Sequence, residues 1–251
     1  MDAFLLSAGL GTRLRPLTDH KPKPLIEISG KPLIAWNLEA LSKIGCKKVI
    51  VNASYLAEQL IEFDGDGSKW NLEVLFSFEE ELLDTGGGLK KALPFISSET
   101  FITWNSDVFI DPSFATSPEG FLGLLARHEK SPTPVATLLV RDEKLENVEA
   151  YGKLIVDQEN KLVDFLGKRY LNSEGKETKT MFSGITLMSK DIERYFPDDK
   201  KIFSLTRDIF PSILSDNRTG NDAKIRVSYC NCYWNDVGTP ERLAEASNYM
   251  K

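Results

Sequence analysis

A doubly wound α/β fold, built on a mixed but mostly parallel sheet, is what this sequence predicts, on three observations. Short apolar runs alternate with helical periodicities through roughly the first 110 residues. The runs end in loops rich in glycine or carrying an Asn/Asp pair, as ligand-binding strand ends do in such sheets. From residue 132 the pattern changes to short strands separated by turn residues, a meander that forms a smaller second half. The 251 residues suit a single domain with halves at about 1–131 and 132–251.

Residues 3–6 form an apolar run that reads as a buried parallel strand. It breaks at Ser7-Ala8-Gly9 into a loop holding Gly11, Thr12, Arg13 and Arg15, and Lys21 and Lys23 follow, interleaved with Pro22 and Pro24. Glycine allows close backbone approach, successive amides make a concavity for phosphate, and four cations stand within a short span. The stretch reads as a polyphosphate cradle. Residues 32–44 carry a helical period capped by Gly45, 48–52 a strand, 56–63 a short helix and 71–77 a third strand. A glycine loop, Asp84-Thr85-Gly86-Gly87-Gly88, then opens a helix that Pro94 ends. The apolar strand 101–104 runs into Asn105-Ser106-Asp107.

In the second half, 135–140, 153–156, 162–166, 181–188 and 225–229 read as strands, with turns at Tyr151-Gly152 and 158–160. Residues 192–196 and 205–214 read as helical, and Trp234-Asn235-Asp236-Val237-Gly238-Thr239 leads into a last amphipathic helix over 241–249. No internal repeat is present, hexapeptide repeats included.

Composition excludes several classes. The net charge of −6, from 31 basic and 37 acidic residues, and the lack of a long cationic run exclude nucleic acid as a partner. Cys46, Cys230 and Cys232 make no disulfide framework, and His20 with His128 gives a zinc site little to draw on. No run of about eighteen apolar residues suggests a membrane span, and the first residues enter a strand at once. The expectation is a soluble cytoplasmic protein, monomeric or a small homo-oligomer.

Two familiar phosphate motifs fail. There is no G-x-x-x-x-G-K-[ST], and Gly9-x-Gly11 meets Leu14 where a dinucleotide fingerprint needs its third glycine. The second strand also ends at Asn52 rather than at an acid. The stretch instead resembles the signature of the sugar-1-phosphate nucleotidylyltransferases (nucleoside-diphospho-sugar pyrophosphorylases), G-x-G-[ST]-R-[LM]-x-P-x-T followed by K-P-[KQ]-P-[LM]. Here it stands as Gly9-Leu10-Gly11-Thr12-Arg13-Leu14-Arg15-Pro16-Leu17-Thr18 and Lys21-Pro22-Lys23-Pro24-Leu25. The resemblance covers essentially the whole chain. It implies the Rossmann-like nucleotide-diphospho-sugar transferase fold, with a nucleotide-binding first half and a sugar-phosphate-binding second half.

It also implies roles, position by position. Ala8, Gly9, Leu10, Gly11 and Thr12 would meet the nucleotide, with Thr85, Gly86 and Gly87 near the base. Arg13 would grip the β- and γ-phosphates, and Lys23 would bridge the α-phosphate and the sugar phosphate. Such a transfer crowds anionic charge into one place, usually neutralised by Mg2+ held by hard oxygen ligands. Asp107 and Asp236 end apolar segments and match the family's metal positions in [NG]-x-D and W-x-D-[VI]-G-T. For a lone strand-end aspartate a turn or cap role is the ordinary alternative, and Asp111 reads as such a cap. Asn105, Gly152, Lys168, Ser183 and Gly184 lie where the family contacts sugar.

Within the family, the Asp-Thr-Gly-Gly-Gly element, the short chain and the Trp-x-Asp-Val-Gly-Thr ending look most like N-acetylmuramate-1-phosphate uridylyltransferases and mannose-1-phosphate guanylyltransferase-like proteins. One departure matters. Many relatives carry E-K-P where Gly167-Lys168-Arg169 stands, so the acid that usually holds sugar hydroxyls is missing. Lys168 and Arg169 there favour an acidic sugar, and the expected substrates are UTP and N-acetylmuramate 1-phosphate, with GTP and mannose 1-phosphate, another sugar 1-phosphate, or CTP and phosphocholine as the alternatives. A non-catalytic nucleotide-sugar sensor on the same fold is the reading from another class, weakened because Arg13, Lys23, Asp107 and Asp236 are all present.

Overall fold

The structure, a computed structural model, describes residues 1–142, 152–173, 175–216 and 224–250. Its first half contains β1 (Asp2–Leu6), the hairpin strands β2 (Glu27–Ile28) and β3 (Lys31–Pro32), α1 (Leu33–Lys43), β4 (Lys48–Ala53), α2 (Ala57–Asp64), β5 (Glu73–Phe78), α3 (Asp84–Ala92), β6 (Thr100–Asn105), β7 (Val108–Ile110) and α4 (Phe121–His128). The second half adds β8 (Ala136–Arg141), β9 (Lys153–Asp157), β10 (Leu162–Phe165), β11 (Lys168–Arg169), β12 (Glu177–Ser189), α5 (Phe210–Ser215), β13 (Ile225–Tyr229), β14 (Trp234–Asp236) and α6 (Pro240–Tyr249). Tyr151 of the expected turn lies outside the described residues.

Both halves share one ten-stranded sheet. β5, β4, β1 and β6 are parallel neighbours, and β12 enters antiparallel beside β6. β12 has 13 residues and changes partner along one edge. Residues 177–181 pair with β9 and residues 185–189 with β6, while β8 follows the other edge with β13 parallel outside it. β9, β10 and β11 complete the expected meander. The register breaks between Phe182 and Thr186, where one partner gives way to the other.

The apolar runs are continuous because both sheet faces are covered. Leu5, Val51 and Trp104 pack on one side with Leu38 of α1 and Leu124 of α4, whereas Phe4, Ile50 and Phe101 pack on the other with Leu89 of α3 and Phe210 of α5. Gly45 (φ 88°) ends α1 as expected. Its N–H bonds Ser42 O at 3.0 Å and that of Cys46 bonds Leu41 O at 3.0 Å, two bonds that together close the last turn. No helix among the described residues is long and apolar enough to cross a membrane.

Two buried titratable groups pull stability in opposite directions. His128 is fully buried on α4, its Nδ1 3.0 Å from Thr137 Oγ1, and burial, reinforced by the Arg226 guanidinium, pushes its pKa from 6.5 down to about 4. The unfolded chain therefore binds the proton first, and stability falls as pH drops from 6.5 to 4. Asp64, buried at the end of α2 with no hydrogen-bond partner on either oxygen among the described residues, is pushed from 3.8 up to about 7 by burial, against Lys69. The folded chain keeps that proton longer, so stability falls as pH rises from 3.8 to 7. Each contribution is on the order of 3 kcal/mol, and the two nearly cancel between pH 4 and 6.5. Urea melts across that window should show Asp64→Asn losing about 3 kcal/mol relative to wild type on acidification. Parallel curves for the two proteins would mean that Asp64 titrates normally.

Candidate functional site

The C-terminal ends of β1, β4 and β5 are tied together before any ligand is considered. Ser7 N–H donates to Asn52 Oδ1, Asn52 Nδ2 donates to Glu79 Oε1 at 2.7 Å, and Leu83 N–H donates to Glu79 Oε2 at 3.0 Å. Asn52 thus acts as a clamp where a dinucleotide site would place an acid. Gly88 makes room for it, since a Cβ there would lie 2.6 Å from Glu79 Oε1. Sequence reasoning missed Glu79. The available signal was an acid directly after the apolar strand β5.

The glycine loop folds back on the lysine segment. Gly11 adopts φ 63°, and a Cβ on it would stand 3.0 Å from both Lys23 Cβ and Thr18 Cγ2. Thr18 Oγ1 donates to Gly11 O at 2.9 Å, which gives the motif's threonine its structural role. The amides of Gly9, Leu10 and Gly11 have no acceptor among the described residues, as a phosphate-binding concavity requires. The Leu10 side chain itself points to solvent.

Only two of the four expected cations face the resulting cavity of about 420 Å³, which Ala8 and Thr12 also line. Arg13 lies along its wall, against Gly238, where a Cβ would come within 3.1 Å of the guanidinium. Lys23 reaches in and pairs with Asp107, Nζ to Oδ2 at 2.7 Å. Arg15 instead pairs with Asp19 at 3.3 Å, and Lys21 with Glu27 at 3.1 Å, both outside the cavity. The cradle is therefore half as cationic as its sequence suggests.

A second cavity of about 260 Å³ adjoins the first, and Leu6, Thr85, Asn105 and Asp107 line both. Asp236, Ser183 and Gly184 line the second. Gly184 sits in the β12 bulge at φ 82°, and a Cβ there would lie 2.8 Å from Asn105 Nδ2. Trp234, which also lines the second cavity, donates from Nε1 to Ser183 O at 2.8 Å and so holds the bulge. A methyl at Gly184 would push Asn105 off the wall and strain the backbone. Gly184→Ala should therefore raise the KM of whatever fills the second cavity about tenfold, leaving that of the first ligand near normal.

The two candidate metal carboxylates stand on neighbouring segments, Asp107 in the turn just before β7 and Asp236 at the end of β14. Asp236 ends β14, which pairs with β7, and Val237 N–H donates to Asp107 O at 2.8 Å. Among the described residues no group of three His, Cys, Asp or Glu could form an all-protein metal cage. Two hard carboxylates beside a phosphate-sized cavity fit Mg2+, which takes one or two carboxylates and fills its shell from phosphates and water. Asp111, as expected, caps a turn, accepting from Ser113 N–H at 2.8 Å.

Four expected positions lie away from both cavities. Gly86 and Gly87 are no loop; they lie buried in the first turn of α3, and both N–H groups donate to Phe203 O, at 2.9 and 3.1 Å. Their amides are consumed inside the protein, while Thr85 of this element reaches both cavities and Asp84 reaches the first. Gly152 and Lys168 line neither cavity. Lys168 stands 5.0 Å over the Tyr170 ring, and its neighbour Arg169 pairs with Glu177. No Lys or Arg is among the described residues lining the second cavity.

The nucleotidyl transferase family model matches residues 2–251. The chain belongs to this family. It is 30% identical over 241 residues, 96% of each chain, to the D-glycero-alpha-D-manno-heptose 1-phosphate guanylyltransferase of Campylobacter jejuni. Over 118 residues, 47% of this chain and 51% of the relative, it is 40% identical to the N-acetylmuramate alpha-1-phosphate uridylyltransferase of Neisseria meningitidis. Curated mannose-1-phosphate guanylyltransferases are also similar, but the chain spans only 64% of the Mycobacterium tuberculosis protein. Among solved structures, HddC from Yersinia pseudotuberculosis complexed with GMP-PN superposes with a TM-score of 0.75 at 28% identity, covering 100% of this chain and 99% of that one. The expected nucleotide-diphospho-sugar transferase fold is thereby established for this nucleotidyl transferase.

Proposed function

We propose that this nucleotidyl transferase joins a nucleoside triphosphate to a sugar 1-phosphate, releasing pyrophosphate. The observation that carries the reading is the wall between the two cavities, where Lys23 and Asp107 meet and Asn105 faces the second compartment. A sugar-phosphate oxygen attacks the α-phosphorus, the bond to the β-phosphate oxygen breaks, and pyrophosphate departs with the electron pair. The attacking group is already an oxyanion, so no protein nucleophile or base is needed. Arg13 neutralises the leaving phosphates, and Lys23 stands between donor and acceptor as charge spreads over the α-phosphate. Asp107 and Asp236 would hold Mg2+, which supplies electrophilic assistance at the phosphates.

The second cavity supports a neutral sugar. A lactyl carboxylate would find no Lys or Arg among its described lining, and the two cations expected to receive it stand elsewhere. With the end-to-end similarity to a heptose guanylyltransferase, this favours GTP and a manno-configured hexose or heptose 1-phosphate. UTP with N-acetylmuramate 1-phosphate is the second reading, supported by 40% identity over 118 residues. Pyrophosphate release, measured with GTP and UTP crossed against mannose, manno-heptose and N-acetylmuramate 1-phosphates, tests both. Release with GTP and a neutral sugar supports the first reading and release with UTP and the muramate the second. Silence across the panel would sink the catalytic reading.

A further inference from the structure

Both aspartates assigned to Mg2+ are ion-paired within the chain. Lys23 Nζ lies 2.7 Å from Asp107 Oδ2, and one nitrogen of Arg242, Nη1, lies 2.6 and 2.7 Å from the two oxygens of Asp236. A donor shared between both oxygens sits where a bidentate cation would sit. The four side chains are 11–29% exposed, so solvent screens these pairs only in part. Arg242 is held there by local structure. Thr239 Oγ1 accepts the Arg242 N–H as the cap of α6, and side chains of a first helical turn lean back toward its N-terminus, here over Asp236.

We propose that Arg242 is a positioning residue that competes with the divalent ion for Asp236, so that the metal enters chiefly together with nucleotide phosphates. This rests on the magnesium reading above. Two carboxylates against Lys23 and Arg242 make a formally neutral ledge. A bare divalent ion would have to displace the pairs and would leave the ledge with a surplus of two positive charges. A triphosphate brings more than enough negative charge to offset that surplus and supplies further oxygen ligands. The pairing thus disfavours the free metal and favours the metal–nucleotide complex. A plain structural tether between Arg242 and Asp236 would make no such distinction.

Mn2+ serves as the probe, its binding to the full-length protein followed by water-proton relaxation, alone and with GTP. Arg242→Gln should bind free Mn2+ about tenfold more tightly than wild type, because the competing charge is gone. Arg242→Lys, which keeps the charge, should stay near wild type, and adding Asp236→Asn to Arg242→Gln should abolish the gain. Unchanged or weaker Mn2+ binding by a folded Arg242→Gln, with wild type still binding Mn2+ in the presence of GTP, overturns the proposal and leaves the magnesium reading standing. If no variant binds Mn2+ with either GTP or UTP, both fall.

Discussion

Asp107→Asn is expected to lower pyrophosphate release roughly 10³-fold while leaving the fold intact. The side chain lines both cavities, so on the proposed reading its charge acts where donor and acceptor meet. The substitution keeps volume but removes the charge, so Lys23 loses the ion pair it makes at 2.7 Å. The local turn survives, because the Asp107 backbone carbonyl, not its carboxylate, accepts the Val237 N–H. The pair is partly exposed, so the stability cost should stay near 1 kcal/mol. A steady-state assay beside a thermal melt separates the effects. A rate within about tenfold of wild type would remove Asp107 from the chemistry, whatever its position.

Much of the cavities' lining was legible because it is local in sequence. The loop from Gly9 to Arg13, Lys23 after it, and aspartates at the ends of apolar segments all carry their meaning in residue type and spacing. What was not legible depends on partners far along the chain. Asn52 reads as a missing acid until it is seen bonding Ser7 and Glu79. The glycine triplet reads as a loop until Phe203, well over a hundred residues on, takes two of its amides. The start of β12 was overlooked because Glu177-Thr178-Lys179-Thr180 lacks the apolar run that marks its later part. Arg15 is the instructive miss, since an acid four residues on, Asp19, was a visible sign that its charge was engaged.

Gly87→Ala should cost stability although alanine is the better helix former. Alanine gains about 1 kcal/mol over glycine in a helix interior. Here the added methyl would lie 2.2 Å from Lys201 O and 3.0 Å from Leu83 Cβ, and the nearer neighbour is backbone, which no rotamer change can clear. Overpacking of this kind costs about 1–3 kcal/mol or more, so a net loss of about 2 kcal/mol is expected. The strap that must move holds Phe203 O on the Gly86 and Gly87 amides, and continues to Leu205, whose N–H donates to Thr85 Oγ1 at 2.9 Å. Leu205 and Thr206 line the second cavity, so the KM of the ligand that fills it should rise along with the loss of melting temperature. Gly9→Ala is the informative contrast. Apart from its chain neighbours, a Cβ there meets no atom of the described residues within 4 Å, so it should melt like wild type and weaken only the nucleotide that, on the proposed reading, approaches the loop. Were Gly87→Ala to melt normally with unchanged KM, the close seating of residues 201–205 on α3 would not be what shapes the second cavity.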